Sequence, residues 1–229
     1  MIRHPSSNHD PRPAGTAIDM LVLHYTGMPT KAAALDRLCD PTAKVSAHYL
    51  IDEAGTTYLL VDEWQRAWHA GVSYWRGNRD INSRSIGIEL VNRGHQYGYH
   101  PFPAAQMAAL AALAQGILSR HRIPPRNVVG HSDIAPTRKQ DPGELFDWPA
   151  LARCGVGIWP DPAAGETMAD TDAGTLLGRW GYDVADTAAL ADALVAFQRH
   201  FRPSCCDGEC DAETLTNLRC LLRMVGNQP

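Results

Sequence analysis

No stretch of the sequence approaches the roughly 20 consecutive apolar residues a membrane-spanning helix needs, so insertion into a bilayer is not expected. Positive charge is not in excess either: 21 Lys and Arg stand against 25 Asp and Glu, a net charge of −4. That balance lacks the strong positive field that holds nucleic acid. The first residues carry one early positive charge, Arg3, with no apolar run behind it, unlike a Sec signal peptide. The expectation is a cytoplasmic protein, with a periplasmic one as the alternative. A secreted-type disulfide framework is missing as well. Four of the six cysteines (Cys205, Cys206, Cys210 and Cys220) crowd toward the carboxyl end, and Cys39 and Cys154 stand apart. Adjacent Cys205 and Cys206 lack the two-residue gap of a zinc knuckle. They read as partly buried thiols in a reducing compartment, with a structural zinc or a disulfide as the alternative.

What is present is an ordinary globular composition, 45% apolar and 20% charged over 229 residues. That is enough chain for one medium domain and one small one. Charge divides the same way: residues 1–167 carry 16 basic and 16 acidic groups, and residues 168–229 carry 5 and 9. Residues 1–17, polar and rich in proline, read as an extended arm. Met20-Leu-Val-Leu-His24 suits a buried strand. Residues 30–39 suit a helix capped by Thr30. His48–Ile51 and Thr57–Val61 flank a turn at Gly55 and read as a hairpin. Ser85–Asn92 is a strand with Ile86, Ile88 and Leu90 on one face and Glu89 on the other. The clearest helix spans residues 104–121, and Asn127–His131 is a last short strand. Strands interleaved with helices predict an α/β domain over residues 18–154, built on a central sheet. A linker, 155–170, leads to a small three-helix domain, 171–229, with helices near 172–180, 187–201 and 212–225.

His24 and His131 end two of these strands, and Glu89 lies within a third. Ligands gather at the carboxyl ends of strands in open α/β sheets. Two histidines and a nearby aspartate are the protein ligands of a catalytic zinc, with a fourth place left for water. In an extended loop Lys139 and Asp141 project to the same side. A solvated lysine and a loop-capping aspartate are the structural alternative for that pair.

Leu23-His-Tyr-Thr26, Val45-Ser-Ala-His-Tyr49, Arg66-Ala-Trp-His-Ala-Gly71, Ser85-Ile-Gly-Ile-Glu89 and Gly130-His-Ser-Asp-Ile-Ala-Pro-Thr-Arg-Lys139, with Asp141-Pro-Gly143, run in order through residues 16–150. Together they resemble the zinc-dependent N-acetylmuramoyl-L-alanine amidase family, which includes a phage lysozyme and the peptidoglycan recognition proteins. The AmpD and AmiD branches are the most similar. Residues 172–224, through Ala196-Phe-Gln-Arg199 and the stretch Cys206–Leu215, resemble the helical peptidoglycan-binding domain of the AmiD branch.

The resemblance implies a central mixed sheet flanked by helices, with zinc held by His24, His131 and Asp141. It implies Glu89 as the catalytic proton carrier and Lys139 as the group that steadies the oxyanion. Ala47 stands where the family often has Ser or Tyr, so a hydroxyl role there is absent. Trp68 and His69, with Trp75, are expected to line the cleft, and Asp133 to brace the loop or a ligand histidine rather than bind metal. The implied partners are muropeptides, cleaved by a monomer. The balance favours recycling of anhydro-muropeptides. Attack on intact peptidoglycan in the periplasm and non-catalytic wall recognition are the alternatives. The small domain is expected to contribute packing or substrate positioning, so truncation after Pro160 should leave a competent zinc site.

Overall fold

The computed structural model describes residues 1–161 and 172–226. The amino-terminal arm is more structured than its composition implies. It donates two short strands, β1 (Ile2–Arg3) and β2 (His9–Pro11). Next come β3 (Met20–Tyr25) and α1 (Lys31–Cys39), where Thr30 caps the helix by accepting the Ala33 amide at 3.1 Å. The predicted hairpin is β4 (Tyr49–Ile51) and β5 (Thr57–Leu59), joined by a turn in which the Gly55 amide donates to the Asp52 carbonyl. Then follow β6 (Gln65–Ala67), α2 (Ile81–Arg84), β7 (Ser85–Leu90), α3 (Gly94–Tyr97) and α4 (Ala104–Arg120). β8 (Val128–Gly130), α5 (His131–Ile134) and α6 (Trp148–Arg153) complete the larger unit. His131 therefore opens a short helix one residue past the strand it was expected to end.

Six strands make one mixed sheet in the order β1-β5-β4-β7-β3-β8, and β2 pairs with β6 in a separate ribbon. β3 lies between β7 and β8, parallel to both. Side chains of a strand alternate between faces, and β3 uses both. Leu21 and Leu23, with Ile86, Ile88 and Leu90 of β7, pack under Leu110, Ala114 and Ile117 of α4. Met20 and Val22 point to the other face, where His24 also emerges.

That second face is covered by α7 (Ala173–Trp180), α8 (Thr187–Phe201) and α9 (Ala212–Val225). Each of these begins on an aspartate (Asp172, Asp186 or Asp211) that accepts a backbone amide at 2.9 Å. Trp180, Phe197 and Phe201 share one apolar core with Met20, Val22 and Val129 of the sheet. Trp75, expected in the cleft, is instead buried in this core, edge-on to Tyr182 at 5.3 Å. Its fused ring fills the seam between sheet and helices. Of the expected linker, Val156 packs into the core of the larger unit, Pro160 is buried, and residues 162–170 lie outside the described residues. All six cysteines are free thiols.

Candidate active site

Strand register brings the chemistry together. His24 and Glu89 are paired neighbours on β3 and β7, so their side chains leave the same face side by side. Leu23 pairs with Gly130, which sets His131 beside His24 at the end of β8. The loop after α5 then folds back: the Ser132 amide donates to the Asp141 carbonyl at 2.9 Å. A Cβ on Gly130 would come within 2.7 Å of the Pro142 ring, so only glycine lets the loop return this closely.

The result is a triangle of donor atoms. His24 Nδ1 lies 2.9 Å from His131 Nδ1, and Asp141 Oδ2 lies 3.0 Å and 3.1 Å from the two nitrogens. All three residues are buried. The outer contacts fix the tautomers. Ser85 Oγ donates to the Ile81 carbonyl at 2.6 Å, so it can only accept from His69 Nε2 at 3.0 Å. His69 Nδ1 is then an acceptor, and His24 Nε2 must donate to it at 3.1 Å. His131 Nε2 donates to the Ala70 carbonyl at 3.0 Å. In the neutral imidazoles that a metal requires, each Nδ1 then turns its lone pair toward the Asp141 carboxylate.

Three such atoms repel one another unless a cation joins them. Edges of about 3 Å fall a little short of the ~3.3–3.6 Å that tetrahedral ligands at ~2.0–2.2 Å from one zinc ion span, so a small outward shift of the donors would admit it. The residues fit that metal. Burial, and then the neighbouring His131, lower the His24 pKa to about 4, which keeps its imidazole neutral for ligation. Burial works to raise the Asp141 carboxyl, but the two histidines outweigh it and hold it far below the carboxylate range.

Glu89 stands beside the triangle with its Oε2 buried and without a hydrogen-bond partner. Burial first, and then the charge of Asp141, push its pKa well above the usual carboxylate range, and Lys139 opposes the shift. A buried carboxyl left unpaired next to a donor triangle is a group poised to exchange a proton. Lys139 and Asp141 line the same cleft, which has a volume of about 700 Å³.

Trp68 also lines the cleft, with its Nε1 donating to Asp10 Oδ2 at 2.7 Å. His69 borders the cleft as well, but both ring nitrogens are spent on His24 and Ser85. It lies against Gly87 of β7, where any Cβ would overlap the imidazole. A glycine between two isoleucines inside a strand was the sequence sign of that close approach. Asp133 binds no metal position. It accepts from the Gly130 amide at 2.7 Å, the Tyr182 hydroxyl at 2.5 Å and His200 Nδ1 at 2.7 Å. Ala47 is fully buried and offers the cleft no hydroxyl. The sequence reading missed a further wall: Asp192, Val195 and Arg199 of α8 line the cleft, as do Ala34, Arg37 and Leu38 of α1.

The sequence and fold that carry this arrangement have known relatives. Residues 14–144 match the N-acetylmuramoyl-L-alanine amidase family. N-acetylmuramoyl-L-alanine amidase AmiD of Escherichia coli is 43% identical over 91% of this chain and 84% of its own length. The solved complex of that enzyme with anhydro-N-acetylmuramic acid-L-Ala-D-γ-Glu-L-Lys superposes with a TM-score of 0.82, at 40% identity, over 95% of this chain and 94% of that one. AmpDh3 from Pseudomonas aeruginosa, solved with an anhydromuramic pentapeptide, gives a TM-score of 0.82 at 37% identity, covering 93% and 94%. The 1,6-anhydro-N-acetylmuramyl-L-alanine amidase AmpD of Haemophilus influenzae is 37% identical over 62% of this chain and 85% of its own.

Proposed function

The chain belongs to the N-acetylmuramoyl-L-alanine amidase family, and on that premise we propose that it is a zinc-dependent hydrolase of anhydro-muropeptides. It cuts the amide between anhydro-N-acetylmuramic acid and L-alanine, as a monomer in the recycling of wall fragments. The observation that carries this is the triangle of His24 Nδ1, His131 Nδ1 and Asp141 Oδ2 with unpartnered Glu89 beside it. The substrates in the AmiD and AmpDh3 complexes support the anhydro-sugar.

His24, His131 and Asp141 would hold the zinc, which when bound would supply Lewis acidity and lower the pKa of a water to about 7. Glu89 takes the proton of the attacking water on its carboxylate and returns it to the departing L-alanine nitrogen, the step that frees the amine. The Lys139 ammonium faces the same cleft and offsets negative charge as it develops on the lactyl oxygen. Asp141, His24 and His131 hold the three donor atoms in place. His69 and the Ala70 carbonyl keep those imidazoles in the ligating tautomer.

Zinc content and product masses test the reading together. The purified protein should hold one zinc and release a free L-alanine amine with the sugar intact. His24→Ala, His131→Ala and Asp141→Ala should each lose both metal and activity. Cleavage inside the stem peptide, or zinc without any cleavage, would replace this reading by a peptidase or a recognition module. Cytoplasmic placement is part of the proposal. Recovery of the native protein in a periplasmic fraction would overturn it.

A further inference from the structure

We propose that Arg199 is a specificity residue that binds the α-carboxylate of the acidic residue following L-alanine in the stem peptide. This rests on the amidase reading above and deepens it. α8 lies on the sheet face that carries His24 and Glu89. Asp192, Val195 and Arg199, at steps of three and four, turn one stripe of that helix to the cleft. The Arg199 side chain is only 12% exposed, and its Nε is buried with no hydrogen-bond partner. It faces the carboxylate of Glu144, but at 3.7 Å, too far for a hydrogen bond. Glu144 is meanwhile engaged by His95 Nε2 at 3.2 Å, and His95 in turn accepts from the Tyr25 hydroxyl at 2.9 Å.

The Arg199 Nε–H keeps no hydrogen bond within the chain, and Glu144, at 3.7 Å and shared with His95, leaves room for a closer anion. The planar guanidinium fork fits a carboxylate through two parallel bonds, a geometry that an ammonium cannot copy. A γ-linked glutamate leaves its α-carboxylate free, and it is the first charge beyond the scissile amide. The peptide of the AmiD complex contains such a residue. Arg199 therefore gives the helical unit a part in choosing substrate while the metal site does the cutting.

The test pairs two substrates and three proteins. Anhydro-muramoyl-L-Ala-γ-D-Glu-L-Lys and its α-amide, the isoglutamine form, are compared with wild type, Arg199→Gln and Arg199→Lys. Wild type should favour the acid by ~10-fold or more in kcat/KM, mainly through KM, the scale of a hydrogen bond to a charged group. Arg199→Gln should bring the acid down to the level of the amide and leave the amide nearly unchanged, with Arg199→Lys between. Equal turnover of acid and amide by wild type would overturn the proposal. So would equal losses on both substrates in Arg199→Gln, the result of a structural role. If Arg199→Gln does not fold, the wild-type preference and its reduction in Arg199→Lys decide. Calorimetry of the free peptide L-Ala-γ-D-Glu-L-Lys and its amide on zinc-loaded wild type separates the two ideas. Absent cleavage sinks the amidase reading, whereas equal affinity for the two peptides sinks Arg199.

Discussion

His24 reaches the donor triangle with its tautomer already set, three hydrogen bonds away, by the Ile81 carbonyl. His69 is the middle of that chain, so its loss should appear first in metal affinity. His69→Leu is expected to weaken zinc binding by ~10–100-fold. His69→Gln can accept from His24 and donate to Ser85 and should recover much of it. A competition titration with a chromogenic chelator measures both, and unchanged affinity in His69→Leu would show that the relay is idle. Glu89 behaves in the opposite way. Glu89→Gln keeps the shape and should keep full zinc, yet lose at least ~10²-fold in kcat, the scale of a positioned proton carrier. Near-normal turnover in that protein would move the proton elsewhere.

Between elements, the clearest tie is Glu63, in the turn before β6. Its carboxylate accepts from Tyr49 of β4, Arg120 at the end of α4 and His121 just beyond it, each at 2.7 Å. Burial raises the Glu63 pKa, but the bonds from Arg120, His121 and Tyr49 outweigh it and hold the pKa down to about 2. A depressed carboxyl contributes stability that is complete above its unfolded value, ~4.5, and is lost as pH falls through about 2. Urea denaturation from pH 5 down to pH 2 should therefore cost wild type on the order of 2 kcal/mol more than Glu63→Gln, after allowing for solvent screening. Parallel loss in both would leave Glu63 without that role.

Elements with internal patterns were legible in the sequence. α1, α8 and α9 announce themselves by Thr30, Asp186 and Asp211 as caps, and α4 by buried positions spaced three or four apart. β1, β2, β6 and α5 carry two to four residues each, too few for a period to show. They exist because distant partners fit them: β1 borrows its register from β5, and β2 from β6. The site divides similarly. His24, Glu89, His131 and Asp141 could be read from their motifs. The places of His69, Trp75 and Arg199 depend on which elements cross them, and a linear pattern does not encode that.

At the scale of the molecule, the three terminal helices close over the face from which the site residues emerge. Asp133 is the clasp, a buried carboxylate shared by the Gly130 amide, Tyr182 and His200. The sequence favoured a zinc site that survives truncation after Pro160, and the packing points the other way. Removing the helices would expose Met20, Val22 and Val129 and strip Asp133 of two donors. The truncated chain should bind zinc weakly or not fold. Tyr182→Phe, a gentler probe, should cost about 1.5–3 kcal/mol in urea denaturation, the scale of a hydrogen bond to a charged group. An unchanged midpoint would show the clasp to be slack. β3 adds a consequence for how such a chain can vary. It spells two messages in alternate letters, leucines for one core and Met20, Val22 and His24 for the other side. A single inserted or deleted residue would transpose them, driving the imidazole into the α4 core and turning the leucines toward the cleft. A shift of frame there strikes core and metal site together, whereas a substitution at His24 removes one donor and leaves both cores as they are.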